Sequence, residues 1–365
     1  MILYYLIFFF LILRFTIALF NFISNPKLTY SLKHYDEQVS ILIPVRNEAP
    51  NIFNLLNSIK NQSYSNYEVI VLDDGSTDNS YAVASEFADS DKRFRVLRGK
   101  ELPEDWLGKN YACYQLAQEA RGKYLMFIDA DEEIKEGLIN NSVHRMKINR
   151  IALLSLFANQ KMETVGEKLV VPLMHLLLLY LLPLRLVKLS SNPALAAASG
   201  QFMLFDAEVY QKEQWHLKVK SKVVEDIEIM KCVKRSGYTG EALLANGYIF
   251  CRMYTDYKEA INGFSKNLLA GFGYNVAALV CYLLLVMLGP VFIFFYLNLT
   301  LLSFLITLII LTRLLVSLQS GQSILQNIVF HPLQMVSLII ISVVSVKKYL
   351  TKTTTWKGRT IINGE

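Results

Sequence analysis

The apolar residues of this chain are concentrated toward its two ends, and that separation limits the possible folds more than any other feature. Residues 2–23 form a nearly unbroken apolar run, and further runs lie at about 275–297, 299–320 and 326–346. Each run is long enough to cross about 30 Å of hydrocarbon as a helix. The sequence therefore predicts an integral membrane protein, with an N-terminal transmembrane helix over 1–24 and a C-terminal transmembrane region over 272–347.

The first run is predicted to remain as an anchor rather than to be cleaved as a signal peptide. Its apolar core is too long, no basic segment precedes it, and no small-residue cleavage site follows it. The topology at the other end stays open. The tail over 348–365 is basic, which favours the cytosol, whereas three full crossings after a cytosolic domain place it outside. One of the late runs is then re-entrant or interfacial.

Two other features of the apolar segments are ambiguous. Arg313 is the one charge inside the three late runs, and it is either functional, paired, or snorkelling toward an interface. In the segment 168–190, Pro172 and Pro183 bracket an apolar stretch of about ten residues, which Arg185 and Lys188 follow. That stretch is too short to span a bilayer and predicts a helix lying in the interface.

Charge and cysteine content exclude several classes of protein. The net charge is +6 and the basic residues are scattered, which argues against a nucleic-acid surface and agrees with attraction to a membrane. The four cysteines and five histidines show no zinc spacing and no disulfide framework. No G-x-G-x-x-G follows the first strand-like run, so a dinucleotide-binding dehydrogenase is also excluded.

The middle of the chain, over 36–270, alternates between strand and helix patterns. Strand-like apolar runs lie at 39–45, 67–73, 93–97 and 124–129, and helical patterns lie at 48–62, 78–89 and 108–121. This alternation predicts an α/β fold with a mostly parallel, Rossmann-like sheet whose strands are buried on both faces. Ligands bind such sheets at the carboxyl ends of the strands.

The first strand-like run ends in the sequence Pro44-Val45-Arg46-Asn47-Glu48. Proline is expected to stop the sheet hydrogen bonding, and Glu48 is expected to open a helix at its positive dipole end. The alternative is that Glu48 is only a helix cap. The second run ends in Asp73-Asp74-Gly75-Ser76, where two carboxylates precede a tight turn and need cationic or hydrogen-bonding partners. The alternative here is an Asx-type turn with a helix cap at Asp78.

The fourth run ends in Asp129-Ala130-Asp131. Two carboxylates two residues apart, directly after a buried strand, suit a hard divalent cation such as Mg²⁺ or Mn²⁺. Such a cation would neutralise charge on a departing diphosphate. A single D-x-D is common in acidic loops, so the argument depends on finding it with the other two motifs.

The three motifs occur in order and each ends a predicted strand, and in this the chain resembles family 2 glycosyltransferases of the GT-A fold over about residues 39–267. The resemblance implies that Pro44, Glu48 and Asp74 contact the nucleotide base and ribose. It also implies that Asp129 and Asp131 address the diphosphate and its metal, with Asp131 as the direct metal ligand. The predicted donor-binding residues are Pro44, Arg46, Asn47, Glu48, Asp73, Asp74, Gly75, Ser76, Lys109, Asp129, Ala130, Gly200 and Gln201.

Three further positions follow from the same resemblance. Lys109 opens a helix and is expected to meet the donor diphosphate, the alternative being a surface lysine. The pair Glu225-Asp226 opens an amphipathic helix, and Asp226 is predicted as the base that takes the acceptor proton, with Glu225 orienting it or raising its pKa. Gly200 is expected to allow close approach beside the sugar.

The resemblance also narrows the expected activity. The chain has no Gln-x-x-Arg-Trp motif, which lowers the expectation of a processive polymerase. The tail sequence Thr355-Trp356-Lys357-Gly358-Arg359, with the terminal apolar runs, looks like that of carotenoid-acid (diaponeurosporenoate-type), hopanoid-associated and, more distantly, ceramide glycosyltransferases.

The prediction is therefore an inverting transferase in a bacterial cell membrane, with a cytosolic catalytic domain. It would move a sugar from a nucleotide-sugar donor, with uracil as the expected base, to a lipid-type acceptor that reaches the site along 168–190. The alternatives are a polysaccharide synthase and a non-catalytic scaffold with a GT-A domain.

Overall fold

The computed structural model describes residues 2–295, 299–353, 355–356 and 359–360. The chain divides into two compact units. A helical unit comprises Met1–Pro26, Gln160–Leu184 and Met253–Thr354, and a sheet unit comprises Lys27–Asn159, Arg185–Arg252 and Thr355–Glu365. This division differs from the predicted boundaries, because 160–184 and 253–270 belong to the helical unit rather than to one domain over 36–270.

The elements are numbered along the chain. The strands are β1 Val39–Val45, β2 Tyr67–Asp73, β3 Phe94–Arg98, β4 Tyr124–Ile128, β5 Glu132–Ile134, β6 Leu153–Phe157, β7 Asn159–Gln160 at the unit boundary, β8 Phe202–Asp206, β9 Gly240–Leu244, β10 Ile249–Cys251, β11 Thr355–Trp356 and β12 Arg359–Thr360. The helices of the sheet unit are α2 Ile52–Lys60, α3 Ser80–Asp89, α4 Gly108–Glu119, α5 Leu138–Asn149, α8 Leu186–Leu189, the 3₁₀ turn Pro193–Leu195, α9 Ala207–Glu213, α10 Trp215–Lys218 and α11 Glu225–Arg235. Those of the helical unit are α1 Ile2–Ser24, α6 Val165–Val170, α7 Pro172–Leu181, α12 Tyr257–Gly271, α13 Val276–Phe295, α14 Leu299–Ser320, α15 Ile324–Val329 and α16 His331–Thr351.

The sheet unit is built on a seven-stranded sheet with the order β3-β2-β1-β4-β8-β6-β9. β1 pairs in parallel with β2 and β4, β2 with β3, and β6 with β9, whereas β8 is antiparallel to both β4 and β6. The predicted mostly parallel α/β sheet is thus confirmed. Every residue of β4 is buried, as is all of β1 except Pro44, which explains the continuous apolar character of these strands.

Two local expectations at the end of β1 are wrong. Pro44 does not end the strand: it lies opposite Leu72 of β2, and pairing with β2 continues to Val45. On the other side, pairing with β4 ends at Leu42, so the missing N–H of the proline interrupts no ladder there. Glu48 does not open a helix, because its carbonyl accepts the N–H groups of the following turn and α2 begins only at Ile52.

The helical unit has three helices long and apolar enough to cross a membrane among the described residues, namely α1, α14 and α16. A fourth span is possible if α12 and the start of α13 act as one broken element, since the two are bent by 109°. The predicted run over 326–346 is not one helix. α15 ends at Val329, inside the run, and α16 begins at His331. Pro332 lies in the first turn of α16, where a backbone N–H has no acceptor within the helix.

The segment predicted to lie in a membrane interface contributes α7 to the helical unit, and its position at an interface stays a prediction. α7 buries Leu173, Leu176 and Leu179, and Asn21 of α1 holds its end. The Asn21 side chain donates to the carbonyl of Leu179 at 3.1 Å and accepts the Leu184 N–H at 2.7 Å. The predicted tail is partly outside the described residues, Lys357 and Gly358 included, while β11 and β12 pair with each other.

Candidate active site

A cleft lies at the sheet edge where β1, β2 and β4 end. From β1 the chain continues to β2 and β3 on one side of β1, and it then crosses to β4 on the other side. Ligands of open parallel sheets usually bind at the strand ends where the strand order reverses in this way. A cavity of about 150 Å³ is found there. It is lined by Pro44, Val45, Arg46, Glu48, Asp74, Lys109, Ala112, Asp129, Ala130 and Asp131.

Hydrogen bonds tie the loop after β1 to the loop after β2. Arg46 Nη1 donates to the carbonyl oxygens of Asp74 at 2.5 Å and Gly75 at 3.1 Å. Asn47, at a φ of 55°, donates its N–H to Ser76 Oγ at 3.0 Å. Gly75 has a φ of +69°, where other residues are strained. These predicted donor residues therefore fix the shape of one wall of the cleft.

The adjacent aspartates at the end of β2, Asp73 and Asp74, differ in their position and contacts. Asp74 lines the cavity, and its N–H donates to the carbonyl of Val45 at 2.8 Å. Asp73 is buried and accepts the Ser76 N–H at 3.3 Å, which is the turn contact considered as its alternative role. Asp78 likewise accepts the Ser80 N–H at 3.0 Å before α3. Asp74, rather than Asp73, is therefore the carboxylate placed to meet a ligand.

Lys109, on the first turn of α4, lies at the centre of a cluster of carboxylates. Its Nζ lies 2.8 Å from Oδ1 and 2.9 Å from Oδ2 of Asp129, and 3.4 Å from Glu225 Oε1. Burial opposes the charge, but the carboxylates of Asp129 and Glu225 outweigh it and raise the pKa of Lys109 well above its ordinary value. Lys109 is therefore a permanent cation on the cavity wall.

Gly200 brings the start of α11 against this lysine. Its N–H donates to Asp226 Oδ2 at 2.9 Å, and the Ile227 N–H donates to Asp226 Oδ1 at 2.7 Å. A Cβ at position 200 would lie 3.0 Å from both Lys109 Nζ and Glu225 Oε1. The site is thus closed around a residue without a side chain. The next residue, Gln201, accepts the backbone N–H after β4 through its carbonyl, which aligns β8 with the end of β4.

Both carboxyl groups at the start of α11 are harder to ionise than usual. Burial raises the pKa of Glu225, the positive charge of Lys109 opposes this, and the neighbouring Asp226 adds to it. Burial also raises the pKa of Asp226, against the stabilising N–H of Ile227 and the charge of Lys109. A carboxylate whose pKa is raised toward neutrality is a stronger proton acceptor, as a general base requires.

A second group of side chains lies on the other side of the D-x-D sequence. Ligand atoms of Asp131, Glu132 and Cys251 all lie within 4.8 Å of one another, with Cys251 Sγ 3.7 Å from Asp131 Oδ2. Glu132 is 2% exposed, and neither of its carboxylate oxygens has an N–H or O–H donor among the described residues. Asp129, the other predicted metal residue, is outside this group because both its oxygens face Lys109.

These residues fit a divalent cation through their oxygens. Asp131 lines the cavity, and the buried Glu132 oxygens have no N–H or O–H donor among the described residues, so a hard cation would satisfy those oxygens. Burial and the neighbouring Glu132 and Asp131 raise the pKa of Cys251, which keeps a soft thiolate out of the site. Sequence reasoning missed Cys251, which is 120 positions from Asp131 and belongs to no spaced motif. Glu132 carried a signal, since it directly follows the D-x-D.

Comparison with known proteins gives a family and a fold. The family model described as Glycosyl transferase family 2 matches residues 40–213. A 4,4'-diaponeurosporenoate glycosyltransferase of Staphylococcus haemolyticus is 28% identical over 247 residues, covering 64% of this chain and 62% of the relative. The glycosyltransferase GlyG of Streptococcus pneumoniae is 33% identical over 103 residues, covering 28% of this chain and 33% of the relative. The chain thus aligns with less than two thirds of either relative's length.

Among solved structures, the mannosyltransferase PcManGT from Pyrobaculum calidifontis, in complex with GDP-Man and Mn²⁺, is similar at a TM-score of 0.56. The match covers 94% of this chain and 99% of that one, at 15% sequence identity. The likeness is one of fold, a GT-A architecture.

Proposed function

Because this chain is a glycosyltransferase of family 2, with the family's domain over residues 40–213, we propose that it transfers one sugar, with inversion, from a nucleotide-diphosphate sugar to a hydrophobic acceptor. Lys109 is the fixed cation for the donor diphosphate, and Asp74 and the loop held by Arg46 form the nucleoside side of the cleft. Uracil as the base is the expectation that the family resemblance gives, and it stays a prediction.

The observation that carries this proposal is the meeting of Asp226 with Lys109 at Gly200. The predicted base and the predicted diphosphate contact come from segments far apart in sequence, yet both lie against one glycine. Asp226 would accept the proton of the acceptor hydroxyl while that oxygen bonds to the anomeric carbon. The bond from this carbon to the diphosphate breaks, and the nucleoside diphosphate leaves from the opposite face.

We propose Asp131 as the cation ligand, supported by Glu132 where its unpaired oxygens face the same point. A bound Mg²⁺ or Mn²⁺ would supply charge neutralisation for the leaving diphosphate. Asp129 would act by holding Lys109 in place, since both its oxygens are engaged there.

The hydrophobic acceptor is proposed from two independent supports. Three described helices are long and apolar enough to span a membrane, so the enzyme is proposed to work at a bilayer, with its sheet unit in the cytosol. The Staphylococcus haemolyticus relative is named for 4,4'-diaponeurosporenoate, a carotenoid carboxylate whose hydrocarbon chain is apolar.

The test is mass spectrometry of lipid extracts from cells expressing the wild type or Asp226→Asn. A lipid heavier by one sugar should appear only with the wild type, and the mass difference would identify the sugar. In isolated membranes with Mn²⁺, Asp226→Asn should release nucleotide about 10³-fold more slowly, the range expected for loss of a general base.

Glu228→Gln is the matched control, because Glu228 lies on the same helix turn but pairs with Lys231 at 2.7 Å. Its activity should be close to that of the wild type. A polymeric product instead of a single added sugar would refute the single-transfer proposal, and full activity in Asp226→Asn would refute the assignment of the base.

A further inference from the structure

A large cavity lies within the helical unit, apart from the residues discussed so far. Its volume is about 620 Å³, four times that of the cleft in the sheet unit. Its walls are almost entirely aliphatic side chains from α1, α13, α14, α15 and α16. A space of this size is that of a small-molecule site, and an apolar wall selects an apolar occupant.

Two arginines line this apolar space. Arg14 is 7% exposed, and its guanidinium lies 5.0 Å from the centroid of the Phe10 ring and 5.4 Å from that of Tyr180. The Tyr282 hydroxyl is its polar neighbour. Arg14 Nε has no hydrogen-bond partner among the described residues. The two rings thus fix the position of a guanidinium whose Nε has no hydrogen-bond partner among the described residues.

Arg313 is held by a network of amides. It is 1% exposed, and it donates to the carbonyl of Asn327 at 3.2 Å and to Gln334 Oε1. Gln334 in turn donates to Asn327 Oδ1 at 3.2 Å, and Asn327 donates to Ser317 Oγ at 2.9 Å. This burial excludes snorkelling to an interface. The partners orient the arginine, but they are neutral and do not balance its charge.

No carboxylate pairs with either arginine in the part of the chain that the structure describes. His331, whose Nδ1 is buried and without a partner, adds a further unused polar atom to the same lining. Buried cations without counter-ions are unfavourable, and a guanidinium matches the oxygens of carboxylates and phosphates. Intramembrane arginines in such settings are functional by default.

We propose that this cavity is a binding site for an anionic amphiphile, whose apolar chain fills the aliphatic space and whose head group is bound by Arg14 and Arg313. The shared chemistry of the head group is an anionic cluster of oxygens, either a carboxylate or a phosphate. His331 provides an additional hydrogen-bonding position. The inference goes beyond the proposed sugar transfer and can hold or fail without it, because binding needs no donor.

The test uses the full-length protein in a neutral detergent, with oleate and oleyl alcohol as probes. The two share one apolar chain and differ only in the charge of the head group. Oleate should bind at least tenfold more tightly than oleyl alcohol and should raise the melting temperature. Arg14→Gln should remove this preference and raise the melting temperature of the protein without ligand, because an unbalanced buried charge is gone.

Lys347→Gln is the matched control, since it removes one positive charge from an exposed position of the same unit. It should keep the preference for oleate. If Arg14→Gln does not fold, Arg14→Lys keeps the charge without the fork geometry and should show a smaller preference. Equal binding of the two probes, or a preference unchanged by both Arg14 variants, would overturn the proposal.

A second arm separates the two sources of the anion. Native mass spectrometry of protein from nanodiscs containing phosphatidylglycerol and phosphatidylcholine would show which lipid is retained. Retention of phosphatidylglycerol that depends on Arg14 identifies a phospholipid, whereas retention of neither with tight oleate binding identifies a free carboxylate. No Arg14-dependent preference in either arm would contradict the site.

Discussion

The two units of this molecule each contain a buried charged cluster, and the sign of the unbalanced charge differs. In the sheet unit, one lysine faces several carboxylates, of which Asp129 and Glu225 pair with it and Asp131 does not. In the helical unit, Arg14 and Arg313 line one cavity without a carboxylate among the described residues. A buried cluster with excess negative charge calls for a cation, and one with excess positive charge calls for an anion. The charge that the chain leaves unbalanced therefore indicates the ligand.

The two clusters also differ in how they are assembled. The charged residues of the sheet unit lie after strand ends and on the first turns of α4 and α11, where the parallel strands bring distant segments to one edge. The arginines lie on helices, positioned by aromatic rings and side-chain amides. The first arrangement allows reacting groups to meet at a single glycine, whereas the second holds charges fixed in an apolar space.

The largest expected effect comes from neutralising Asp131, the proposed cation ligand of the sheet unit. Asp131→Asn should lower sugar transfer about 10³-fold, since a charge at the leaving diphosphate contributes several kcal/mol. Activity should return only partly at high Mn²⁺. Cys251→Ser provides the control, because the raised pKa keeps its thiol neutral and serine retains its size. Wild-type activity in Asp131→Asn, or activity of the wild type after exhaustive chelation, would contradict a cation at this position.

Removing the paired cation tests the other half of the same cluster. Lys109→Met leaves Asp129 and Glu225 without their counter-ion, and breaking a buried pair in this way costs about 3 kcal/mol of unfolding free energy. Transfer should fall about 10²-fold through the lost diphosphate contact. Chemical denaturation and donor titration measure the two effects. The sign is opposite to that expected for Arg14→Gln, and a stabilised Lys109→Met would remove the contrast between the units.

Lys231→Met is the control for the lysine variant, because Lys231 pairs only with the partly exposed Glu228. Its loss should change the unfolding free energy by less than about 1 kcal/mol. A similar loss of unfolding free energy in both lysine variants would mean that the ion pairs of Lys109 stabilise the protein no more than a surface pair does.

The close approach at Gly200 gives a smaller effect. Gly200→Ala places a Cβ 3.0 Å from Lys109 Nζ and from Glu225 Oε1, so these two side chains, which flank the base Asp226, must move away by a few tenths of an ångström. We expect about a tenfold lower kcat, because misplacement of a catalytic group is costly, with little change in the donor Kd. Gly271→Ala is the comparison, since a Cβ there meets nothing within 4 Å and the backbone is helical. Unchanged kcat at position 200 would show that the approach is not needed.

Much of the sheet unit could be predicted because its signals are local. Continuous apolar runs gave β1 and β2 with the bounds that the structure has, and the polar residues after them line the cleft as strand order requires. The errors at Pro44 and Glu48 arose because a proline tolerated beside one open ladder looks like a strand end. A turn that precedes a helix also looks like its first turn.

The contacts that depend on long separations could not be predicted. Cys251 meets Asp131 through the β5–β10 pair, and nothing near Cys251 in sequence marks that pairing. In the helical unit, hydropathy identified the helices but not their partners, so the contact of Asn21 with the end of α7 could not be predicted. Arg14 lies within the apolar run 2–23, and the run itself does not mark it as functional. Its importance depends on the cavity that it lines, which no local pattern encodes.

The smallest expected effect is a shift in pH dependence, and it tests whether the balancing charge of Lys109 reaches the base. Burial raises the pKa of Asp226 and the charge of Lys109 lowers it. The base works only when ionised, so transfer should fall as the pH drops through this raised pKa. In Lys109→Met the lowering influence is gone, and the acidic limb of the residual activity should move to higher pH. Rate profiles of the two proteins measure the shift, with Lys231→Met expected to keep the wild-type limb. A limb that stays in place in Lys109→Met would mean that the base titrates independently of Lys109.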